Sequence, residues 1–363
     1  MLCMQHKRVG KLRTMKKLKA KLQRFRKKQP EQQPSEGRIT NETVAEHREQ
    51  ILAGGRRFKY PVQYSRHKLV INSLIIGISG IILLALIFWW QLYLVQNSSK
   101  FIYRFTQLIP VPVASIDGEN VLYSDYLKRF RSSIHYLQEQ NNLNTGTTDG
   151  KKEVAYRKRE ELNNAIRDAY VRKVARENKV TVTDKEVDTF IKEELADKKV
   201  SETAYEKTVL NNFYDWSMAD YRSVVYAELL KRKVSFAIDK PAKDKSDRVM
   251  AALRAPNADF AAVARAESDD EASKAAGGDS GSVPVKTFDP NGVIAAVMKL
   301  QPGQTTALLY GTDGYYVAKL TSKNDQNVQF QFIKISIGEF TKRFNEVKDT
   351  DKVKEFIRVQ KNQ

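Results

Sequence analysis

Residues 69–95 read LVINSLIIGISGIILLALIFWWQLYLV, and this stretch decides how the rest of the chain is organised. It holds no charge; Lys68 and Lys100 are the charges that bound it. A hydrocarbon core of about 30 Å takes roughly 20 apolar residues in a helix, so the run is long enough to span a bilayer. Asn72, Ser73, Ser79 and Gln91 are polar but uncharged, and such groups cost far less in lipid than a charge. Trp89, Trp90 and Tyr93 gather at the C-terminal end, where amphipathic rings favour the headgroup region. A core helix of a water-soluble domain is usually shorter and amphipathic. The pattern predicts a single transmembrane helix over 69–95.

Charge orients that helix. Residues 1–68 carry 19 Lys/Arg against 5 Glu, a net +14 out of +19 for the whole chain. Arg66, His67 and Lys68 abut the run, whereas Gln96-Asn97-Ser98-Ser99 on the far flank is uncharged. The positive-inside rule places 1–68 in the cytoplasm and 96–363 outside. A cleaved signal peptide has an apolar region of about 7–15 residues and a small-residue cleavage site. This run is longer and ends in bulky aromatics, so an uncleaved signal-anchor is expected. Residues 7–28 hold twelve Lys/Arg and no acid, with Leu12, Met15, Leu18, Leu22 and Phe25 on one side of a helix. A basic amphipathic helix suits anionic lipid, a ribosome or other RNA; a tail whose charge only fixes topology fits equally. Residues 29–65 read as a linker.

Cysteine and histidine usage excludes several chemistries. The one cysteine, Cys3, lies on the cytoplasmic side, so the external part has no disulfide and no thiolate zinc site. The four histidines, at 6, 47, 67 and 135, do not cluster, and neither metal nor cofactor is expected. Any serine–histidine nucleophile outside would have to be built on His135. Gly277-Gly278 is too short for a phosphate loop.

Beyond the span the chain reads first as helices. Val111–Ala114 is extended, and Asp117-Gly118 marks a tight turn. Ser124 is placed to cap a helix from Asp125 to about Glu139, and a long helix is expected over about 153–178. Thr183-Asp184-Lys185-Glu186 has the form of a capping box, and Ser201 and Ser217 offer further caps. At Val234 the pattern changes. Val234–Ile238 reads as a strand, followed by helices near 245–254 and 258–266. Asp289-Pro290 suggests a helix over about 290–300. Thr305–Leu309 and Tyr315–Leu320 flank Gly311–Gly314 as a hairpin. Val328, Phe330 and Phe332, then Ile333, Ile335 and Ile337, read as a further strand, buried on both faces or bulged. A short helix near 339–347 and an apolar patch at Val353–Val359 follow.

The stretch from Val234 resembles the parvulin family of peptidyl-prolyl isomerases. The matching pieces are Asp259-Phe260-Ala261 leading to Ser268-Asp269-Asp270, then Gly277-Gly278-Asp279-Ser280-Gly281, Lys299–Gly303 and Gly314–Leu320. Ile116-Asp117-Gly118-Glu119 and Val182–Asp188 resemble the helical chaperone lobe of SurA- and PrsA-type foldases. The resemblance covers about 111–323. It implies an α+β chain: a single transmembrane helix, a mainly helical chaperone-like lobe over 101–233, and a parvulin-like lobe over 234–323 with a small β-sheet flanked by helices. The C-terminal strand and helix segment, 324–363, is expected to pack on the helical lobe.

The resemblance also implies the chemistry. Rotating an X–Pro amide crosses a barrier of about 20 kcal/mol, set by lost resonance. An isomerase grips the proline ring and favours the twisted amide, helped by preorganised polar groups. In the family these include a His on the first strand, a His on the last strand, and a Cys or Asp near the Gly-Gly-Asp loop. Here Asp270 matches the Cys/Asp position, Phe236 falls at the first-strand His, and Tyr316 at the last-strand His. Phe288 and Val293 fall near the proline-pocket positions. The expected partners are unfolded or nascent secreted polypeptides and the lipid bilayer. Three readings stay open: an X–Pro isomerase for secreted clients, an inactive parvulin-like holdase, and an envelope scaffold whose basic tail binds RNA or lipid.

Overall fold

The computed structural model describes residues 40–59 and 61–360, so the basic segment 7–28 lies outside the described residues. The chain divides into two units, Met1–Leu83 and Leu84–Gln363. In the first, helix α1 (Asn41–Lys59) precedes helix α2 (Pro61–Trp89), which runs on past Leu83. The linker expected over 29–65 thus contains α1, whose Glu, Ala, Gln and Arg are good helix formers. Lys68–Leu94, 27 residues, is long and apolar enough to cross a membrane. Its large apolar side chains from Leu69 to Ile87 are all exposed, so among the described residues no protein core covers this surface.

In the second unit, α2 ends in a π-helical turn over Trp90–Leu94 that is built into a protein core. Leu92 is buried there, Tyr123 donates from its hydroxyl to the Leu92 carbonyl at 2.6 Å, and Tyr93 donates to the Pro112 carbonyl at 2.7 Å. Helix α3 (Lys100–Leu108) starts at Ser99, whose hydroxyl accepts from the Ile102 amide. Strands β1 (Pro112–Ile116) and β2 (Glu119–Leu122) form a hairpin whose turn places both Asp117 (φ 47°) and Gly118 (φ 84°) in the left-handed region.

The helices that follow are α4 (Tyr123–Asn141), α5 (Thr148–Glu177), α6 (Asp184–Asp197), α7 (Glu202–Tyr205, continued as a π-helix over Glu206–Tyr214) and α8 (Met218–Ile238). Capping boxes at Thr183/Glu186 and Ser217/Asp220 begin α6 and α8, and Ser201 caps α7. Ser124 caps nothing: α4 starts straight from β2, with Leu122 at its N-cap and Tyr123 fully buried. The strand expected over Val234–Ile238 is instead the end of α8. Val234 and Ile238, four residues apart, are both buried, as a helix face requires, and so short an apolar run reads equally well either way.

The second lobe holds α9 (Lys240–Leu253), α10 (Phe260–Glu267), α11 (Glu271–Lys274), β3 (Asp279–Pro284), α12 (Val293–Val297), β4 (Leu309–Tyr310), β5 (Gly314–Lys323) and β6 (Asn327–Ser336). Its antiparallel sheet has the order β3-β6-β5-β4. The phase shift in β6 reflects burial on both faces. Val328 and Phe330 join α12 on one side, while Ile333 and Ile335 join α9 and α10 on the other. Asp289 does not start a ten-residue helix. Its carboxylate accepts from the Asn291 and Ile294 amides, and left-handed Gly292 (φ 72°) delays α12 to Val293.

Helix α13 (Glu339–Lys348) and strand β7 (Val353–Glu355) return to the first lobe. Strand β7 pairs with β1, and Phe340 and Phe344 pack on Tyr170 at 5.8 and 5.9 Å. Buried Arg159 donates to the carbonyls of Val359 and Gln360. The segment 324–363 is therefore split: β6 belongs to the second sheet, and the part from α13 onward packs on the helical lobe. Asp239 ties the junction, its carboxylate accepting from Ala242 at the start of α9 and from Gly338 and Glu339 at the start of α13.

Candidate functional site

Alternation along β5 sends Tyr315 and Tyr316 to opposite faces of the second sheet. Tyr316 lies among Val293, Ile294, Val297, Ala318 and Leu320, and is buried. Its hydroxyl donates to Asp313 at 2.7 Å and accepts from the Asn291 side-chain amide at 3.1 Å. Asn291 is oriented by Thr312, whose backbone N–H and hydroxyl both donate to its Oδ1 at 2.8 Å. Directly across the ladder, Lys334 on β6 donates to Asp313 at 2.6 Å. Burial and then the Asp313 carboxylate push the Tyr316 phenol above its ordinary range, so it stays protonated. Burial alone would raise Asp313, but Lys334 and Tyr316 outweigh it and hold that carboxyl below its usual value.

Of the positions carried over from the family, the structure packs Val293 and Tyr316 into one core cluster and leaves Asp270, Phe236 and Phe288 outside it. Asp270 is the N-cap of α11, accepting from the Ser273 amide at 2.9 Å and its hydroxyl at 2.7 Å. It acts on Tyr316 only through charge. Phe288 is 88% exposed and lines no core. Phe236 is on no strand; it projects from α8 onto the Tyr315 face. The sequence reading missed Asn291, Asp313 and Lys334. Asp313 was legible only as a turn residue, and Lys334 sits past the stretch that carried the resemblance.

On the opposite face, Phe236, Tyr310 and Tyr315 meet edge to face, with ring centroids 4.8 Å apart for Phe236–Tyr315 and 5.2 Å for the other two pairs. They line an open cleft of about 610 Å³ with Leu229, Arg232 and Lys243. A second groove, about 490 Å³, opens on the helical lobe. There Tyr214 stacks between Tyr136 (5.9 Å) and Trp216 (4.9 Å), beside Arg129 and Arg157.

Residues 65–235 match the model of the SurA-like N-terminal domain, and residues 229–322 match the PPIC-type PPIase domain. The chain is a parvulin-type, SurA-like foldase. Its two domains are those of a folding factor with polypeptide clients. Among solved structures, foldase protein PrsA from Streptococcus pneumoniae aligns at 19% identity over 51% of this chain and 75% of that one, with a TM-score of 0.18. No curated protein matches. The rotamase match ends at 322, yet strand β6, which separates β3 from β5, lies beyond it at Asn327–Ser336. In this foldase the sheet is completed from outside the matched segment, and the matched residues before Asp239 are helical.

Proposed function

We propose that this foldase is a single-pass membrane protein, with a cytoplasmic N-terminus and residues 96–363 outside, that holds unfolded secreted polypeptides. Isomerisation of X–Pro bonds is secondary to holding them. The observation that carries this reading is the contrast between its surfaces. Aromatic grooves stand open on both lobes, while the polar groups at the rotamase positions are already taken up, Tyr316 by Asp313 and Asp270 by Ser273. Open aromatic surface suits many client sequences at low ordering cost. A hydroxyl already donating to Asp313 has to give up that bond before it serves an amide. Membrane anchoring is supported by the uncharged run 69–95 and its exposed side chains. The basic segment 7–28 is a candidate contact for anionic lipid or RNA on the inner side.

The test uses the full chain in lipid nanodiscs with one unfolded client. Suppression of client aggregation, with prolyl isomerisation no faster than in a Tyr316→Phe variant, is expected. A clear rate that Tyr316→Phe abolishes would establish the second reading, an isomerase. That reading draws on the protonated phenol of Tyr316 standing beside Asp313 and Lys334 at the last-strand position.

A further inference from the structure

The cleft on the Tyr315 face lies across the sheet from Tyr316, and none of the rotamase positions except Phe236 reaches it. Its floor is closed by buried Tyr315, and the ring surface it offers is that of Tyr310, which is 49% exposed, and of half-buried Phe236. Aromatic cradles of this kind accept proline rings of extended segments, because a polyproline-type chain is already ordered before it binds.

The rim adds a second requirement. Lys233 and Lys243 have anionic partners in Glu186 and Asp247. Arg232 has none: among the described residues no carboxylate lies within ion-pair distance of it, and its guanidinium donates only to the Tyr310 carbonyl. That bond uses one of five N–H groups. Burial without a compensating anion lowers its pKa. A half-buried guanidinium beside an apolar cradle favours a ligand that brings its own carboxylate.

We propose that this cleft binds client segments in which a proline adjoins an acidic side chain, the ring resting against Tyr310 and Phe236 and the carboxylate on Arg232. The assignment rests on the polypeptide-binding reading above and names the client feature that this face selects. It is a binding site and requires no isomerisation there.

Fluorescence anisotropy on the full chain in nanodiscs, with labelled alanine-based peptides centred on Asp-Pro, Asn-Pro or Asp-Ala, tests it. Asp-Pro should bind about tenfold more tightly than either control, the scale of one charged hydrogen bond or one lost ring contact. Arg232→Gln should bind Asp-Pro and Asn-Pro equally. Tyr310→Ala, at a half-exposed position that the fold tolerates, should weaken both about tenfold. Equal binding of Asp-Pro and Asn-Pro by the unaltered chain, or an Asp preference that survives in Arg232→Gln, overturns the assignment. If client aggregation is still suppressed in that case, the cleft assignment alone falls. If suppression is also absent, the polypeptide-binding reading falls with it.

Discussion

On the Tyr316 face of the second sheet, Asp313, Asn291, Lys334 and the phenol satisfy one another; on the Tyr315 face, Tyr310 and part of Phe236 stand open over buried Tyr315, beside an unmatched guanidinium. The two faces share the same strands, so backbone pairing does not explain the difference. What differs is the cover. On the Tyr316 side, α12 and the Asp289 turn close over the strand. On the Tyr315 side, Leu229, Arg232 and Phe236 of α8 and Lys243 of α9 line the cleft beside Tyr310 without closing it. A face whose polar groups are already paired is suited to stability, and a face with unspent contacts is suited to binding.

The largest expected effect sharpens this contrast. Phe330→Ala empties the closed face, where the ring is 6% exposed, and should cost about 3–5 kcal/mol in urea unfolding. Tyr310→Ala on the open face should cost no more than about 1 kcal/mol in the same experiment. Gly278→Ala comes next. Gly278 has φ 82°, and a Cβ there would run into the Phe332 carbonyl, so a loss of about 1–3 kcal/mol and faster amide exchange along β3 are expected. Tyr316→Phe should cost about 1–2 kcal/mol by leaving Asp313 and Asn291 without the hydroxyl, yet leave client holding intact in an aggregation assay.

The smallest effect is acid sensitivity. Lys233 and then the Thr183 amide hold Glu186 down to about 2, from an ordinary 4.5, and Asp313 is also held low. A depressed folded-state value contributes stability that is present above the unfolded value and is lost as pH falls through the folded one. Unfolding midpoints should therefore fall progressively between about pH 4.5 and 2, and Glu186→Gln should flatten that slope.

Local chemistry was the legible part of the sequence. The caps at Thr183, Ser201 and Ser217 and the Asp117-Gly118 turn depend on neighbours within four residues, and the structure shows each of them. Phe236 was misplaced because five apolar-rich residues fit a strand or a helix end equally, and only the packing of α8 decides between them. Lys334 and Asp313 meet across 21 residues through the β5–β6 register, which no local spacing encodes. Phe288 carried a family position without its pocket, because the Asp289 turn leaves it facing solvent.

The most direct measurement is photo-crosslinking to an unfolded client, with the crosslinking amino acid placed at Tyr310 on one face or at Asn291 on the other, in the full chain in nanodiscs. Strong client adducts at 310 and few at 291 are predicted. Adducts concentrated at 291, with position 310 silent, would contradict the account and move the working surface to the Tyr316 face.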